Sequence, residues 1–131
     1  MSDAAKILVV EDDRDHARAL TIRLRAQGYQ VRVAQDAYRA THAVRQELPD
    51  LVILDYRLPA GDGLRVHERL RDISQGSVPI IYLTGDGSRE VEEQARAFGA
   101  AAVFRKPADF ERLLNSVQEC LSAVPGHTIA V

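Results

Sequence analysis

The sequence contains a single cysteine, Cys120, so an intrachain disulfide is excluded and a reducing compartment is expected. Cys120 falls in a predicted amphipathic helix and reads as a packed or half-packed thiol. No stretch approaches the ~18 consecutive apolar residues a membrane-spanning helix needs. The N-terminus is polar, and the first apolar run, Ile7 to Val10, is too short for a signal peptide. A surplus of one charge is also missing: 17 Lys and Arg stand against 19 Asp and Glu, for a formal net charge of -2. Direct nucleic acid binding is therefore not expected without a local basic patch or a partner domain. No Gly-x-Gly-x-x-Gly follows the first apolar run and no Gly-x-x-x-x-Gly-Lys occurs, which argues against dinucleotide and nucleoside triphosphate binding. What remains is 131 residues, 46% hydrophobic and 27% charged, enough for one domain with its own core. A cytoplasmic domain with no membrane association is expected.

Short apolar runs recur along the chain: Ile7 to Val10, Val31 to Ala34, Leu51 to Leu54, Pro79 to Leu83 and Ala102 to Phe104. Three of these are continuously apolar and rich in Val and Ile, as expected of strands covered on both faces of a parallel sheet. The segments between them carry apolar residues three and four apart, the spacing of helices that bury one face. Asp13 suits an N-cap before Ala17, Leu20 and Leu24, with Gly28 as the stop. Asp36 precedes Ala37, Ala40, Val44 and Leu48, halted by Pro49. Asp62 precedes Val66, Leu70 and Ile73; Ser88 precedes Val91, Ala95 and Phe98, ended by Gly99. Asp109 precedes the most regular stripe, Phe110, Leu113, Val117 and Leu121. Strands alternating with helices predict a parallel α/β sheet, and right-handed crossovers place helices on both of its faces. One domain over 1–124 is expected, with 125–131 a tail or the start of a linker.

Polar groups follow each apolar run. Glu11, Asp12 and Asp13 follow the first, Asp55 the third, Thr84 the fourth and Lys106 the fifth. In a parallel sheet these positions share one edge, where open α/β sheets bind ligands. Packed carboxylates raise one another's pKa unless a cation relieves them. With oxygen donors only, the cluster favours Mg²⁺, Mn²⁺ or Ca²⁺ over zinc. His16, one turn after Asp12, could join such a site, but is expected to be solvated. Lys106 as a point charge and Thr84 as a hydroxyl donor suit phosphate oxygens. Asp55 could attack phosphorus and form an acyl phosphate, with the cation and lysine stabilising the charge that develops.

The motifs Ile7-Leu8-Val9-Val10-Glu11-Asp12-Asp13, Leu54-Asp55 with Leu58-Pro59, Asp62-Gly63-Leu64, Leu83-Thr84-Gly85 and Lys106-Pro107 stand in order over nearly the whole chain. Together they resemble the bacterial response-regulator receiver domain of two-component phosphorelay signalling. The resemblance implies a flavodoxin-like (βα)5 fold with strand order 2-1-3-4-5, an order known for a chemotaxis receiver. It implies Asp55 as phosphoacceptor, and Mg²⁺ (with Mn²⁺ as a substitute) held by Glu11, Asp12, Asp55 and the backbone carbonyl of Arg57. Thr84 and Lys106 would contact the phosphoryl group, and a cis peptide bond would precede Pro107. Such a protein is no enzyme toward other substrates; it catalyses only its own phosphorylation and dephosphorylation. The implied donor is a histidine kinase or phosphotransfer protein. The response would appear on the face built from 87–123, toward a downstream protein, a fused output domain or a phosphorylation-dependent homodimer.

The chain departs from the family in one place. Receivers usually carry Tyr or Phe three residues before the lysine, and here Val103 stands there. Phe104 is next to it and should point to the opposite face by strand alternation. The usual aromatic switch is thus expected to be absent or modified. Arg57 and Asp86 occupy the variable positions two residues after the aspartate and the threonine, where opposite charges could pair across the mouth of the site. A receiver-fold interaction module working without phosphorylation is the alternative, normally accompanied by loss of the acceptor, acidic pair or lysine; all are present. Aspartyl-nucleophile phosphatases use Asp-x-Asp, whereas this chain has Asp55-Tyr56-Arg57.

Overall fold

The computed structural model describes residues 4–58, 61–85 and 89–122. Its elements are β1 (Lys6–Val10), α1 (Arg14–Ala26), β2 (Gln30–Ala34), α2 (Ala37–Gln46), β3 (Leu51–Asp55), β4 (Arg57–Leu58), β5 (Gly61–Asp62), α3 (Gly63–Ser74), β6 (Ile80–Thr84), α4 (Arg89–Ala97), β7 (Ala102–Arg105) and α5 (Phe110–Ser122). Five strands form one parallel sheet in the order β2-β1-β3-β6-β7. Counted within that sheet, the order is 2-1-3-4-5, as the resemblance implies. The short strands β4 and β5 pair antiparallel as a separate ribbon directly after β3, which the apolar pattern does not signal.

The continuous apolar runs mark the middle of the sheet: all residues of β3 and β6 are buried. Alternate side chains divide between two cores. Leu8, Val10, Val52, Leu54, Ile80 and Tyr82 face Ala40 and Val44 of α2, Val66 and Leu70 of α3, and Ala95 of α4. Ile7, Val9, Leu51, Ile53, Ile81 and Leu83 face Leu20 and Leu24 of α1 and Leu113, Val117 and Leu121 of α5. The period-two strand pattern and the helical stripes therefore meet on both faces.

Capping follows the acidic residues. The Asp13 carboxylate accepts from the Asp15 and His16 N–H groups, that of Asp36 from Arg39, and that of Asp109 from Glu111 and Arg112. The Asp62 side chain and Ser88, expected before α3 and α4, lie outside the described residues. α4 stops one residue before Phe98 of its stripe, and α2 is shortened further. α2 ends at Gln46, Glu47 is extended, and Leu48 is 46% exposed rather than packed. Pro49 accounts for this, because its ring disfavours the helical region for the residue before it.

Candidate phosphoacceptor site

β1, β3, β6 and β7 bring the expected groups to one sheet edge. Glu11 follows β1; its N–H donates to the Ala34 carbonyl at 3.0 Å, extending the ladder one step, and the residue is buried. Asp55 ends β3 and Thr84 ends β6, both buried. Lys106 follows β7, its N–H donating to the Thr84 carbonyl at 2.8 Å, and the Lys106–Pro107 peptide bond is cis.

The lysine ties the acids together. Its Nζ donates to Glu11 Oε1 at 2.6 Å and to Asp55 Oδ2 at 3.0 Å. Asp12 is exposed at the rim, and Glu11, Asp12 and Asp55 each offer an oxygen within 4.8 Å of the others. The second oxygen of Glu11, Oε2, is buried without a hydrogen-bond partner. A buried anionic oxygen of this kind is costly unless a proton or cation satisfies it. A hard divalent cation fits this donor set, because such ions take carboxylate oxygens and keep other positions for water and phosphate.

The titration of the cluster reflects its crowding. Burial pushes the Glu11 carboxyl up to about 8; Asp55 reinforces the shift and Lys106 opposes it. Burial works against the charge on Lys106, but its bonds to Glu11 and Asp55 outweigh this and its pKa lies above the ordinary value.

A close backbone approach supports the end of β3. The Gly63 N–H donates to the Tyr56 carbonyl at 2.6 Å. A Cβ on Gly63 would meet the Asp55 oxygen, the Tyr56 Cα and the Tyr56 oxygen, all backbone atoms, at 2.8 Å. The glycine of Asp62-Gly63-Leu64 thus lets α3 begin against the backbone of Asp55 and Tyr56.

His16 is half-buried rather than fully solvated. Its side chain is 31% exposed, and Nδ1 contacts Glu11 Oε1. Burial, aided by Lys106, lowers its pKa. The Asp13 cap holds its backbone N–H in the first turn of α1, and no sequence signal marks the contact with Glu11.

Val103 packs with the α2, α3 and α4 core and Phe104 with the α1 and α5 core, so the two face opposite ways. Two aromatic contacts on the α3 and α4 side were not foreseen. Tyr82, fully buried, places its hydroxyl 2.9 Å from His67 Nδ1. The Tyr56 hydroxyl donates to Gln94 Oε1 on α4 at 3.2 Å. Nothing in the apolar pattern marks His67 as buried, since it sits between stripe positions Val66 and Leu70. The Arg57 side chain and Asp86, the expected flanking pair, lie outside the described residues, as do the first positions of the 87–123 face and the tail.

The sequence profile of the response regulator receiver domain matches residues 7–118. The chain belongs to the response-regulator receiver family. It is 30% identical to sporulation initiation phosphotransferase F of Bacillus subtilis over 88% of this chain and 93% of that protein. It is 34% identical to the transcriptional regulatory protein ZraR of Salmonella typhimurium over 88% of this chain but only 26% of the regulator. The receiver thus spans about a quarter of that relative. Among solved structures, a response regulator from Chloroflexus aurantiacus superposes with a TM-score of 0.86 at 30% identity, covering 92% of this chain and 99% of that one. The Vibrio cholerae chemotaxis protein CheY4 superposes at 0.84 with 30% identity, covering 91% of this receiver and all of that chain. Among the described residues, no helix is long and apolar enough to cross a membrane.

Proposed function

We propose that this receiver accepts a phosphoryl group on Asp55 in a Mg²⁺-dependent reaction and passes the change to a partner. The observation that carries this reading is the single ammonium of Lys106 bonded to both Glu11 and Asp55, beside an unpartnered Glu11 oxygen. Glu11, Asp12, Asp55 and the Arg57 carbonyl would hold the cation. When bound, it would neutralise charge on the transferring group.

Every other step falls to the chain. An Asp55 carboxylate oxygen attacks phosphorus, the new P–O bond forms as the bond to the donor breaks, and the donor leaves with the electron pair. Lys106 supplies fixed positive charge to the transferring oxygens, and the Thr84 hydroxyl donates a hydrogen bond. Hydrolysis of the resulting acyl phosphate by water returns Asp55 and inorganic phosphate. The receiver acts only on itself, so it is a signalling acceptor rather than an enzyme with external substrates.

A histidine kinase or phosphotransfer protein is the donor this reading calls for. The likeness to a phosphotransferase over nearly its whole length supports it, as does the presence of all four residue types at the edge. Output through α4, β7 and α5, toward a downstream protein, a fused domain or a second copy, belongs to the same proposal. Val103 in place of the usual aromatic makes that output independent of the ordinary Tyr or Phe rotation. Beryllofluoride, which mimics an acyl phosphate on a carboxylate, tests the reading by ¹⁹F NMR. A bound signal that requires Mg²⁺ and disappears in Asp55→Asn supports it; a signal unchanged in Asp55→Asn contradicts it.

A further inference from the structure

His16 stands on the first turn of α1, where the Asp13 carboxylate accepts its backbone N–H at 3.2 Å and fixes its place. Its Nδ1 faces Oε1 of Glu11, the same oxygen that accepts from Lys106. Glu11 therefore has two partners on one oxygen and none on the other, which is buried. The terminal torsion of a glutamate is broad and roughly twofold, so a single partner that is itself shared with Asp55 leaves either oxygen free to face the acids opposite. A second partner arriving from α1 removes that freedom.

We propose that His16 is a positioning residue for the cation site: its hydrogen bond to Glu11 Oε1 turns the carboxylate so that Oε2 is offered beside Asp12 and Asp55. This deepens the metal-assisted reading above and rests on it. Lys106 cannot fix the carboxylate alone, because its ammonium is shared with Asp55 and follows whichever acid moves. His16 is anchored independently of both, through its own helix. The bond requires only that Nδ1 and Oε1 meet, and it forms with the shared proton on either atom. Partners that orient a ligating side chain in this way are typically worth about 10- to 100-fold in metal affinity. His16 also lines a cleft of about 160 Å³ with Arg23, Leu83, Pro107 and Phe110. A molecule seated there would touch the group that orients Glu11.

The test is calorimetric titration of Mg²⁺ into the full chain as wild type, His16→Ala and His16→Asn, with metal-free melting curves of each. The expected result is a Kd about tenfold weaker in His16→Ala, recovered in His16→Asn, whose amide nitrogen lies near the position of Nδ1. The metal-free melting temperatures should stay together. Equal affinity in wild type and His16→Ala overturns the role, as does equal weakness in the Ala and Asn variants. So does a loss of affinity that merely follows a fall in the metal-free melting temperature. If wild type itself binds no Mg²⁺, the metal-assisted reading falls with it; if only His16→Ala is unchanged, that reading stands.

Discussion

Lys106 Nζ lies 2.6 Å from Glu11 Oε1 and 3.0 Å from Asp55 Oδ2, so one ammonium bridges two carboxylates that are far apart in sequence. It lessens their mutual repulsion and occupies oxygens that a cation would share.

Removing that ammonium should separate two properties that usually fall together. Lys106→Ala leaves the carboxylates without their bridging charge, so Mg²⁺ should bind no more weakly than in wild type. Phosphoryl uptake from acetyl phosphate should fall by about 10²-fold or more, the typical loss when one stabilising donor is removed. Calorimetry and initial phosphorylation rates check the two halves separately. Loss of Mg²⁺ binding in this variant would show that the lysine builds the cation site rather than competing with it.

The raised pKa of Glu11 makes the effect of Mg²⁺ depend on pH. The folded carboxyl titrates near 8 against an ordinary 4.5, so the folded state holds a proton that the unfolded chain has released between those values. Stability from this group is therefore full below 4.5 and is lost as pH rises toward 8 in the absence of metal. A cation replaces the proton, so the gain in melting temperature on adding Mg²⁺ should grow from pH 5 to pH 8. Melting curves in EDTA and in Mg²⁺ measure this; a gain that is constant across that range contradicts the assignment.

Gly63 should tolerate no side chain. A Cβ would stand 2.8 Å from three backbone atoms of Asp55 and Tyr56, none of which can rotate away. Gly63→Ala should cost about 1–3 kcal/mol, as overpacking does, and should slow phosphorylation by displacing Asp55. Urea denaturation and uptake kinetics are the measurements. Wild-type stability would mean that α3 can withdraw from the acceptor strand at little cost.

The buried Tyr82 hydroxyl, 2.9 Å from His67 Nδ1, predicts a stability loss without a chemical one. Tyr82→Phe leaves the imidazole nitrogen without that partner and should destabilise by about 1–3 kcal/mol. Mg²⁺ affinity should not change, since the hydroxyl lies on the α3 side of the sheet, away from Glu11.

Much of this was legible in the sequence because burial on both faces and strand-end position leave direct marks. The Val- and Ile-rich runs of β1, β3 and β6 identified the middle of the sheet, and Glu11, Asp55, Thr84 and Lys106 each follow or end a run. Asp13, Asp36 and Asp109 cap the helices that follow them. Other features depend on contacts that have no period. The β4–β5 ribbon is too short to alternate, Leu48 fits the α2 stripe until Pro49 forces the chain to leave the helix, and His67 falls between two apolar stripe positions. His16 was expected in solvent because a lone histidine carries no sign of its partner; its contact with Glu11 forms from the Asp13-capped first turn of α1.

Intact-mass spectrometry after incubation with acetyl phosphate decides whether Asp55 is a Mg²⁺-dependent phosphoacceptor. Wild type should gain one phosphoryl mass with Mg²⁺ and none in EDTA, and Asp55→Ala should gain none in either. A phosphoryl gain that persists in Asp55→Ala, or that proceeds equally well in EDTA, would contradict the account.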